Sequence, residues 1–408
     1  MAHSRSIVVS MRLAHRVRLD PTPAQQEYFR RACGVARFAY NWALAEWHRQ
    51  YAAGEKPSEA ALRRQLNALK DEQFPWMREV TKNAPQQGIK NLGRAYSSFF
   101  EDLAKHRRGE LPWQRVRVPT CKKKRRHDAF RADNGPDKGY LDAVRTNGKR
   151  VKLPVIGWVA MREEVRFAGR ILSVTISRAA DGWYASFTIE VEYAPDPRND
   201  DTVVGVDLGI TALATLSDGS KVPAPKPLRR YLQKLKRLSR SLSRKQRGSR
   251  NRAKAKTKLA RLHQQIANIR ADALHKLTTN LTRYRTIVIE DLNVTGMLAN
   301  RHLSRAIADV GFFEFRRQLR YKAAMAGSRV LVADRWFPST KLCSACGAKN
   351  GALTLSERIW TCGSCGTSHD RDVNAARNLA RYAESSPASA CGAEGTDRED
   401  DLAVKPAA

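Results

Sequence analysis

The sequence predicts a multidomain α+β protein that combines a β-barrel or sandwich, a helical block, an α/β region and a small zinc-binding module. Three observations lead to this fold class. The chain has 408 residues, which is too long for a single core, because domains usually hold about 100–200 residues. Its residue pattern predicts mostly helices over the first 110 residues, many strands from about 116 to 200, and alternating strands and helices from 202 onward. Two closely spaced CxxC pairs follow near the C-terminal end.

The composition favours a folded protein that binds a polyanion. Hydrophobic residues make up 42% of the chain, which is enough to bury substantial cores. Lys and Arg number 74 against 40 Asp and Glu, which leaves a formal net charge of +34. A fold with that imbalance repels itself unless polyanions lie nearby, and nucleic acid is the obvious partner. The sequence has no long apolar run and no signal-peptide core, so we expect an intracellular protein, and we assume a prokaryotic cytoplasm.

The N-terminal part begins with a strand and continues as helices. Apolar residues alternate with arginines over residues 7–19, which is the period-two pattern of a strand with one basic face. Thr22 and Pro23 are then placed to cap and begin a helix. Further helical periodicity runs over roughly 57–70 and 84–105. These patterns predict a mostly helical block after the first strand.

The next region, up to about residue 200, has the pattern of a β-barrel or sandwich. Pro and Gly punctuate short runs rich in β-branched and aromatic residues, which are typical of strands. Because the strand at 7–19 has no partner close to it in the sequence, we hypothesise that it pairs with this sheet and that the helical block is an insertion. The predicted strands are Val151–Val155, Val165–Phe167, Ile171–Ile176 and Trp183–Tyr193.

From residue 202 the chain has an α/β pattern that includes a very basic helical stretch. Between Asp218 and Asp272 there is no acidic residue, and residues 226–261 hold 16 Lys or Arg interleaved with leucines. A break at 247–250 predicts two antiparallel helices, each with an apolar seam and a basic outer face. A stretch without compensating acids favours phosphate contact. Candidates for that contact are Arg237, Arg240 and Arg244. Strands are predicted at 202–207, 210–217, 286–289 and 330–333.

Four of the seven cysteines form two CxxC pairs. Fifteen residues separate the pair Cys343 and Cys346 from the pair Cys362 and Cys365. Two such pairs form knuckles whose thiolates converge on one tetrahedral Zn²⁺, as in zinc ribbons. A glycine follows each pair and suits the tight turn that a knuckle needs. The spacing therefore predicts a structural zinc site, which by itself indicates no reaction.

Three acidic residues lie where a buried charge needs compensation. Asp207 ends one apolar strand, Glu290 ends another, and Asp372 lies at the start of a helix. Desolvating a carboxylate at the end of a buried strand is costly unless a cation or a hydrogen-bond donor compensates it. Three such groups can hold two Mg²⁺ about 4 Å apart, one to activate water and one to stabilise the leaving oxygen of a phosphodiester.

Each of these residues also has a simpler interpretation. For Asp207 it is the GxDxG turn of actin-like sugar kinases and chaperone ATPases, although the sequence shows no second glycine-rich phosphate loop. For Glu290 it is an ion pair with an arginine such as Arg285. For Asp372 it is a helix N-cap, and Asp370 is the alternative metal ligand in the same motif.

The order and wording of these motifs resemble one family. GVDLGI, then VIEDLNV, then the CxxC pairs followed at once by DRDVNAARN, are similar to TnpB, the transposon-encoded OrfB-type proteins regarded as ancestors of type V CRISPR effector nucleases. The resemblance covers nearly the whole chain through about residue 382. It includes FPSTK before the first cysteine, and LPVIG and GRI in the β-rich region.

This resemblance implies an RNA-guided DNA endonuclease encoded by a transposable element. Family function maps onto Asp207, Glu290 and Asp372 as a catalytic, magnesium-binding triad in a RuvC-like, RNase H-type nuclease domain. The implied cofactors are two Mg²⁺ ions at the nuclease site and Zn²⁺ on the four cysteines. The implied partners are a guide RNA from the transposon end and double-stranded target DNA with a short adjacent motif. Hydrolysis of the target next to that motif would follow a two-metal mechanism.

The resemblance also divides the chain. The expected domains are a β-barrel wedge domain (1–20 and 116–200), an inserted helical recognition domain (21–115), a RuvC-like nuclease domain (201–340 and 369–382) and a zinc ribbon (341–368). Residues 383–408 are small and polar with an acidic cluster, which predicts a disordered tail. Two alternative functions stay open, an unguided RuvC-like nuclease and a non-cleaving zinc-ribbon regulator that binds nucleic acid.

Overall fold

The computed structural model describes residues 9–124, 126, 128–134, 143–193, 202–354 and 356–385. The chain divides into two units, unit 1 up to Ala194 and unit 2 from Pro195. Unit 1 has one large core, and unit 2 has its main core around a sheet with smaller clusters beside it. No helix in the described ranges is both long enough and apolar enough to cross a membrane.

The first strand of unit 1 pairs with its last strand. Strand β1 (Val9–Leu19) runs antiparallel to β7 (Trp183–Tyr193) over its whole length. Side chains alternate along β1 as in a strand with one buried face, because His15, Val17 and Leu19 are buried while Arg16 and Arg18 between them are exposed. The pairing that we hypothesised from the sequence is therefore present. The other strands are β2 (Ala129–Asp133), β3 (Arg145–Asn147), β4 (Arg150–Leu153), β5 (Gly157–Ala160) and β6 (Arg170–Arg178).

These strands form two sheets, one with the order β1-β7-β6-β2 and one with the order β3-β4-β5. The strand predicted at Val165–Phe167 is wrong, because the structure has no strand there. The backbone N–H of Arg166 donates at 3.3 Å to the side chain of His15 in β1, at Nδ1, and not to a backbone carbonyl of that strand. Phe167 still packs edge-on against the His15 ring, with centroids 5.9 Å apart. The alternation of apolar and polar residues at 165–167 therefore reflects side-chain burial, without the backbone hydrogen bonds of a strand.

Three helices of unit 1 lie between β1 and β2 in the sequence, namely α1 (Pro23–Ala52), α2 (Glu59–Gln73) and α3 (Asn83–Arg107). Helix α1 starts where the sequence predicted, because Thr22 and Gln25 form a reciprocal capping box. Phe29 of α1 packs against Phe130 of β2 and Trp183 of β7, with ring centroids 5.8 and 5.2 Å away. The helices and the larger sheet therefore share one core. Short 3₁₀ helices cover Pro75–Glu79 and Trp113–Arg115.

Unit 2 is built on a five-stranded mixed sheet with the order β10-β9-β8-β11-β12. Strands β8, β11 and β12 are parallel, whereas β9 and β10 continue antiparallel from β8. The carboxyl ends of β8 and β11 therefore lie at the same edge of the sheet. The strands are β8 (Val203–Asp207), β9 (Ala212–Leu216), β10 (Lys221–Pro223), β11 (Thr286–Glu290) and β12 (Arg329–Ala333).

Helices cover this sheet and extend from it. The predicted break between the two basic helices is present, since Gly248 has a φ of +85° and Ser249 caps the second helix. The helices are α4 (Pro227–Ser243), α5 (Arg250–Leu281), α6 (Val294–Ala299), α7 (Ser304–Val310), α8 (Phe312–Ala326) and α9 (Arg371–Ser385). Helix α9 continues past the tail boundary expected at 383, and the rest of that expected tail lies outside the described residues.

Candidate functional site

Two strand ends and one helix start bring three carboxylates to one edge of the sheet in unit 2. Asp207 is the last residue of β8, and Glu290 is the last residue of the adjacent parallel strand β11. Asp372 lies in the first turn of α9, which packs on β8. We call Asp207, Glu290 and Asp372 the carboxylate cluster. The fit is close at Gly205, where a Cβ would overlap the carbonyl oxygen of Ala376 in α9, so only glycine suits this position.

The charges of the other two members of the carboxylate cluster act on Asp207. Burial, and then the negative charges of Glu290 and Asp372, raise the pKa of Asp207 to about 8, against the opposing charges of Arg371 and Arg358. Carboxylates that disfavour one another's ionised form are stabilised by a cation, and oxygen ligands suit Mg²⁺. The chemistry of the cluster therefore fits a magnesium site.

Two further contacts orient the other members of the carboxylate cluster. Ser339 Oγ donates to Glu290 Oε1 at 2.6 Å, so a serine holds one carboxylate oxygen of Glu290. Arg358 Nη1 lies 3.3 Å from Asp372 Oδ1. Each contact holds one carboxylate oxygen, of Glu290 in the first case and of Asp372 in the second. Both residues are part-exposed.

Asp370, which the sequence offered as the alternative metal ligand, caps helix α9. Its Oδ1 accepts from the backbone N–H groups of Asp372 and Val373 at 3.1 and 3.0 Å, which caps α9. Its Oδ2 lies 2.7 Å from Lys221 Nζ. The helix cap and the ion pair involve both carboxylate oxygens of Asp370, whereas the negative charge of Asp372 acts on Asp207.

The four cysteines form a second cluster, which we call the thiol cluster (Cys343, Cys346, Cys362 and Cys365). Their Sγ atoms all lie within 4.8 Å of one another. The Sγ atoms of Cys343 and Cys365 are 3.6 Å apart, and those of Cys346 and Cys362 are 3.7 Å apart. Tetrahedral Zn–S bonds of about 2.3 Å place sulfurs about 3.8 Å apart. The thiol cluster therefore fits one zinc ion.

Short backbone turns build each half of the thiol cluster. Gly347 N–H donates to the carbonyl of Cys343 at 2.8 Å, and Gly366 N–H donates to the carbonyl of Cys362 at 2.9 Å. Both glycines have a positive φ, 79° and 70°, which the predicted turns require. A two-stranded ribbon of β13 (Ile359–Thr361) and β14 (Ser368–Asp370) supports the second knuckle and runs directly into α9.

His369 is a neighbour of the thiol cluster that sequence reasoning missed. Its Nε2 atom lies 3.0 Å from Cys343 Sγ, and its ring packs against Trp360 with centroids 4.9 Å apart. A ring N–H donated to a metal-bound thiolate is a typical outer contact of such sites. The signal was available in the sequence, because His369 directly precedes the DRDVNAARN motif.

Two asparagines of α9 tie the thiol cluster to the carboxylate cluster. Asn374 Nδ2 donates to the carbonyl of Leu342 at 2.7 Å, while its Oδ1 accepts from Ser344 N–H at 2.8 Å. Asn378 Nδ2 donates to the carbonyls of Ser339 and Leu342, both at 2.7 Å. The segment that carries Ser339 and the first knuckle is thereby fixed to α9. Sequence reasoning also missed this pair, although amides four residues apart share one helix face.

The predicted amphipathic arrangement of the basic helices is present. Leu235 of α4 is buried against Leu262 and Ile266 of α5. The side chains of Arg237, Arg240 and Arg244 are exposed. The two helices therefore pack through an apolar seam and expose arginines on their outer face, as the sequence predicted.

Unit 1 contains a cavity of about 170 Å³ with a strongly basic lining. Two of its arginines pair with acids, since Arg37 lies 3.0 Å from Asp128 and Arg131 contacts Asp133. Burial, and then the charge of a neighbouring arginine, lower the pKa of Lys122 in the same lining. The remaining positive charge makes this cavity suitable for an anion. The basic lining residues are Arg37, Arg94, Lys122, Arg126 and Arg131.

Three family models match the chain. The model described as "Probable transposase" (OrfB_IS605) matches residues 186–301, and the "Cas12f1-like, TNB domain" model matches residues 312–379. A model described as "Helix-turn-helix domain" (HTH_OrfB_IS605) matches residues 11–56, where the structure has strand β1 and the single helix α1. The second match includes the thiol cluster, Ser339 and Asp372.

Relatives match over almost the whole chain. A protein of Streptomyces pristinaespiralis named "Putative RNA-guided DNA endonuclease" is 38% identical over 386 residues, which cover 93% of this chain and 90% of the relative. "Putative RNA-guided DNA endonuclease InsQ" of Escherichia coli (strain K12) is 34% identical over 387 residues, covering 90% and 91% of the two chains. Among solved structures, a Cas12f1 chain from a complex with sgRNA and target DNA matches with a TM-score of 0.54 at 12% identity, covering 91% of this chain and 99% of that one. This last likeness concerns the fold alone.

Proposed function

Because the chain belongs to the OrfB_IS605 (TnpB) family, we propose that it is an RNA-guided DNA endonuclease that cuts at the carboxylate cluster. The observation that carries the proposal is the convergence of Asp207 and Glu290, which end adjacent parallel strands, with Asp372 in the first turn of α9. Burial and the charges of Glu290 and Asp372 raise the pKa of Asp207 to about 8, which supports the proposal. Converging carboxylates at a sheet edge are costly for a fold. In a family whose relatives are named as endonucleases, they suit metal-dependent phosphodiester hydrolysis.

In this proposal Asp207, Glu290 and Asp372 would hold Mg²⁺, most simply two ions. When bound, Mg²⁺ supplies activation of water and stabilisation of the charge that develops on the leaving oxygen. Ser339 fixes the orientation of Glu290 through the 2.6 Å hydrogen bond. Arg358 contacts Asp372 at 3.3 Å. The four cysteines would hold a structural Zn²⁺ that keeps this framework folded.

We further propose a guide RNA from the transposon end and double-stranded target DNA with a short adjacent motif as partners. Sequence selection by base pairing needs a protein that holds nucleic acid by its backbone, which agrees with the net charge of +34. The exposed arginines Arg237, Arg240 and Arg244 are candidates for phosphate contact in unit 2. The basic cavity is a second candidate, in unit 1.

The domain boundaries expected from the family are also proposed here. The wedge domain (1–20 and 116–200) and the inserted recognition domain (21–115) are supported by the β1–β7 pairing and by the helices α1 to α3 between β1 and β2. The nuclease domain (201–340 and 369–382) is supported by the mixed sheet and by α9 packed on it. The ribbon (341–368) contains all four cysteines.

The first test is to express the gene with its flanking DNA, purify the complex, and sequence the RNA that resists nuclease digestion. One dominant RNA from the element's end, together with Mg²⁺-dependent cutting of a matching plasmid, is the expected result. Asp207→Ala should lower cleavage on the order of a thousandfold or more and leave nucleic-acid binding intact. Asp272→Asn is the matched control, because Asp272 is an exposed acid on α5 paired with Lys276.

Other results would point elsewhere. Cleavage without a defined RNA indicates an unguided nuclease. Binding without cleavage by the unmodified protein indicates a regulator.

The phosphate contact of the basic helices has its own test. Replacing Arg237, Arg240 and Arg244 by Glu should weaken DNA binding and lower the slope of log affinity against log salt, because counterion release falls with each lost contact. A matched triple substitution of Arg30, Arg31 and Arg49, which pair with glutamates in unit 1, makes the same change in net charge. An unchanged slope in the first variant would exclude these arginines from the binding surface.

A further inference from the structure

The most exposed tryptophan of the chain lies beside the carboxylate cluster. The side chain of Trp336 is 84% exposed, whereas the next most exposed of the eight tryptophans, Trp113, is 54% exposed. Burial of a tryptophan side chain removes more apolar surface from water than burial of almost any other side chain, so leaving it exposed is costly. An exposed tryptophan on a well-fixed backbone therefore indicates a binding role for the indole.

Trp336 is the tip of a loop that begins and ends against Glu290. Ala333 at the end of β12 is the register partner of Glu290, and Ser339 Oγ donates to Glu290 Oε1 at 2.6 Å. Trp336 is three residues from each, and three extended residues span at most about 11 Å. The indole thus stands within reach of a DNA strand that crosses the carboxylate cluster.

The loop is fixed on both sides of the indole. Arg335 Nη2 and Nε donate to Asp291 Oδ2 at 2.6 and 3.1 Å. The backbone N–H of Trp336 donates to Asp334 Oδ1 at 2.8 Å. Phe337 turns inward and packs edge-on against a tyrosine ring of α9, with centroids 5.0 Å apart. Since its neighbours are anchored, the indole is presented to solvent by a defined backbone rather than by a loose one.

We propose that Trp336 is a stacking platform for an unpaired base of the strand that lies at the carboxylate cluster. This inference rests on the proposed nuclease function. Aromatic faces stack on any base, which suits a protein whose sequence selection is delegated to a guide. Arg335 shares Asp291 with Arg316, so this arginine is anchored to the protein, and the exposed group at the tip of the loop is the indole.

The test measures binding of a single-stranded oligothymidine that carries one 2-aminopurine, using the purified complex in an Asp207→Asn background so that the strand stays intact. Trp336→Ala should weaken binding roughly 5- to 150-fold and reduce the quenching of 2-aminopurine fluorescence. The salt slope should stay the same, because no phosphate contact is removed. Trp336→Phe should bind within about threefold of the parent, since it keeps an aromatic face. Tyr51→Ala removes a 72% exposed aromatic from unit 1 and is the matched control.

Two results would overturn the platform. One is parental affinity and quenching in Trp336→Ala, and the other is an equal loss in Trp336→Ala and Tyr51→Ala. Guided cleavage by the unmodified complex is measured in parallel. If the unmodified complex cleaves its target and Trp336→Ala binds the oligonucleotide like the parent, only the stacking inference is contradicted. If Trp336→Ala weakens strand binding but the unmodified complex does not cleave, the nuclease function is contradicted and the stacking site is supported.

Discussion

The thiol cluster and the carboxylate cluster share one framework but are assembled in opposite ways. The thiols come from two knuckles whose cysteines are at most 22 positions apart, and each knuckle is closed by its own backbone hydrogen bond. The carboxylates come from β8, β11 and α9, and only the order of the strands and the packing of α9 bring them together. One site depends on local spacing and the other on the topology of the whole unit.

The two clusters also differ in their electrostatics. The sulfur–sulfur distances of 3.6 and 3.7 Å suit one tetrahedral soft ion. The carboxylates instead disfavour one another's ionised form, as the raised pKa of Asp207 shows. We therefore expect zinc to be part of the folded state and Mg²⁺ to be bound more weakly and exchangeably. The comparison teaches that a local site stabilises the fold, while a site assembled over long range is stabilised by the fold.

Removing one thiol should have the largest effect and tests whether the local site supports the distant one. In Cys362→Ser we expect bound zinc to fall from one ion per chain to almost none, because zinc-binding free energies of about 10–16 kcal/mol depend on the full ligand set. Cleavage should be lost as well, since Arg358 and Ser339 reach the carboxylate cluster from the ribbon and its approach. Metal analysis and limited proteolysis measure the first effect. Cys121→Ser, an exposed thiol in unit 1, is the control, and zinc retained in Cys362→Ser would contradict the assignment.

Substituting Gly205 tests the opposite dependence, that of the carboxylate cluster on topology. In Gly205→Ala the new Cβ would overlap the backbone of α9 at Ala376, so α9 must shift away from β8. We expect a destabilisation of about 1–3 kcal/mol or more, together with loss of cleavage and retention of zinc. Urea unfolding measures the destabilisation, and metal analysis measures the retained zinc. Gly351→Ala, which places a Cβ in open space within the ribbon, should change neither quantity. Lost zinc in Gly205→Ala would mean that the two clusters fold as one.

The pH dependence of stability sharpens the electrostatic side of the comparison. The pKa of Asp207 is raised to about 8 in the folded, metal-free protein, so between about pH 4 and pH 8 the folded state keeps a proton that the unfolded state releases. The free energy of unfolding should therefore fall as pH rises through this window, by up to about 1.4 kcal/mol per pH unit. Asp207→Asn should remove that slope. Urea midpoints at pH 6, 7 and 8 in Mg²⁺-free buffer measure it, and the same slope in both proteins would contradict this account.

The two clusters also mark what the sequence could and could not predict. The CxxC spacing was sufficient for the thiol cluster, because the turns are local and need only glycines at the right positions. The strand ends at Asp207 and Glu290 were predictable from apolar runs, and Asp372 from the family motif. The cap by Asp370 is a local contact, but two aspartates of the motif could have made it. The contacts of Ser339 and Asn378 could not be predicted, since they depend on how α9 docks. The false strand at Val165–Phe167 has the same origin, because burial by side chains alone mimics the alternation of a paired strand.

The smallest predicted effect concerns the link between the two clusters. Ser339 lies on the segment that leads to the first knuckle, is held by Asn378, and donates to Glu290. Outer partners of metal ligands typically change metal affinity or activity by about 10- to 100-fold. We therefore expect Ser339→Ala to raise the Mg²⁺ concentration for half-maximal cleavage by about that factor while zinc content stays at one ion per chain.

A titration of cleavage against Mg²⁺ tests the role of Ser339, with Ser344→Ala as the control. Ser344 lies on the same segment and is similarly buried, but it contacts α9 through its backbone N–H, so the loss of its hydroxyl should leave the titration unchanged. If Ser339→Ala also titrates like the parent, then Glu290 is oriented by β11 alone. The thiol cluster would then act on the carboxylate cluster through α9 and through Arg358, which contacts Asp372 and whose charge also acts on Asp207.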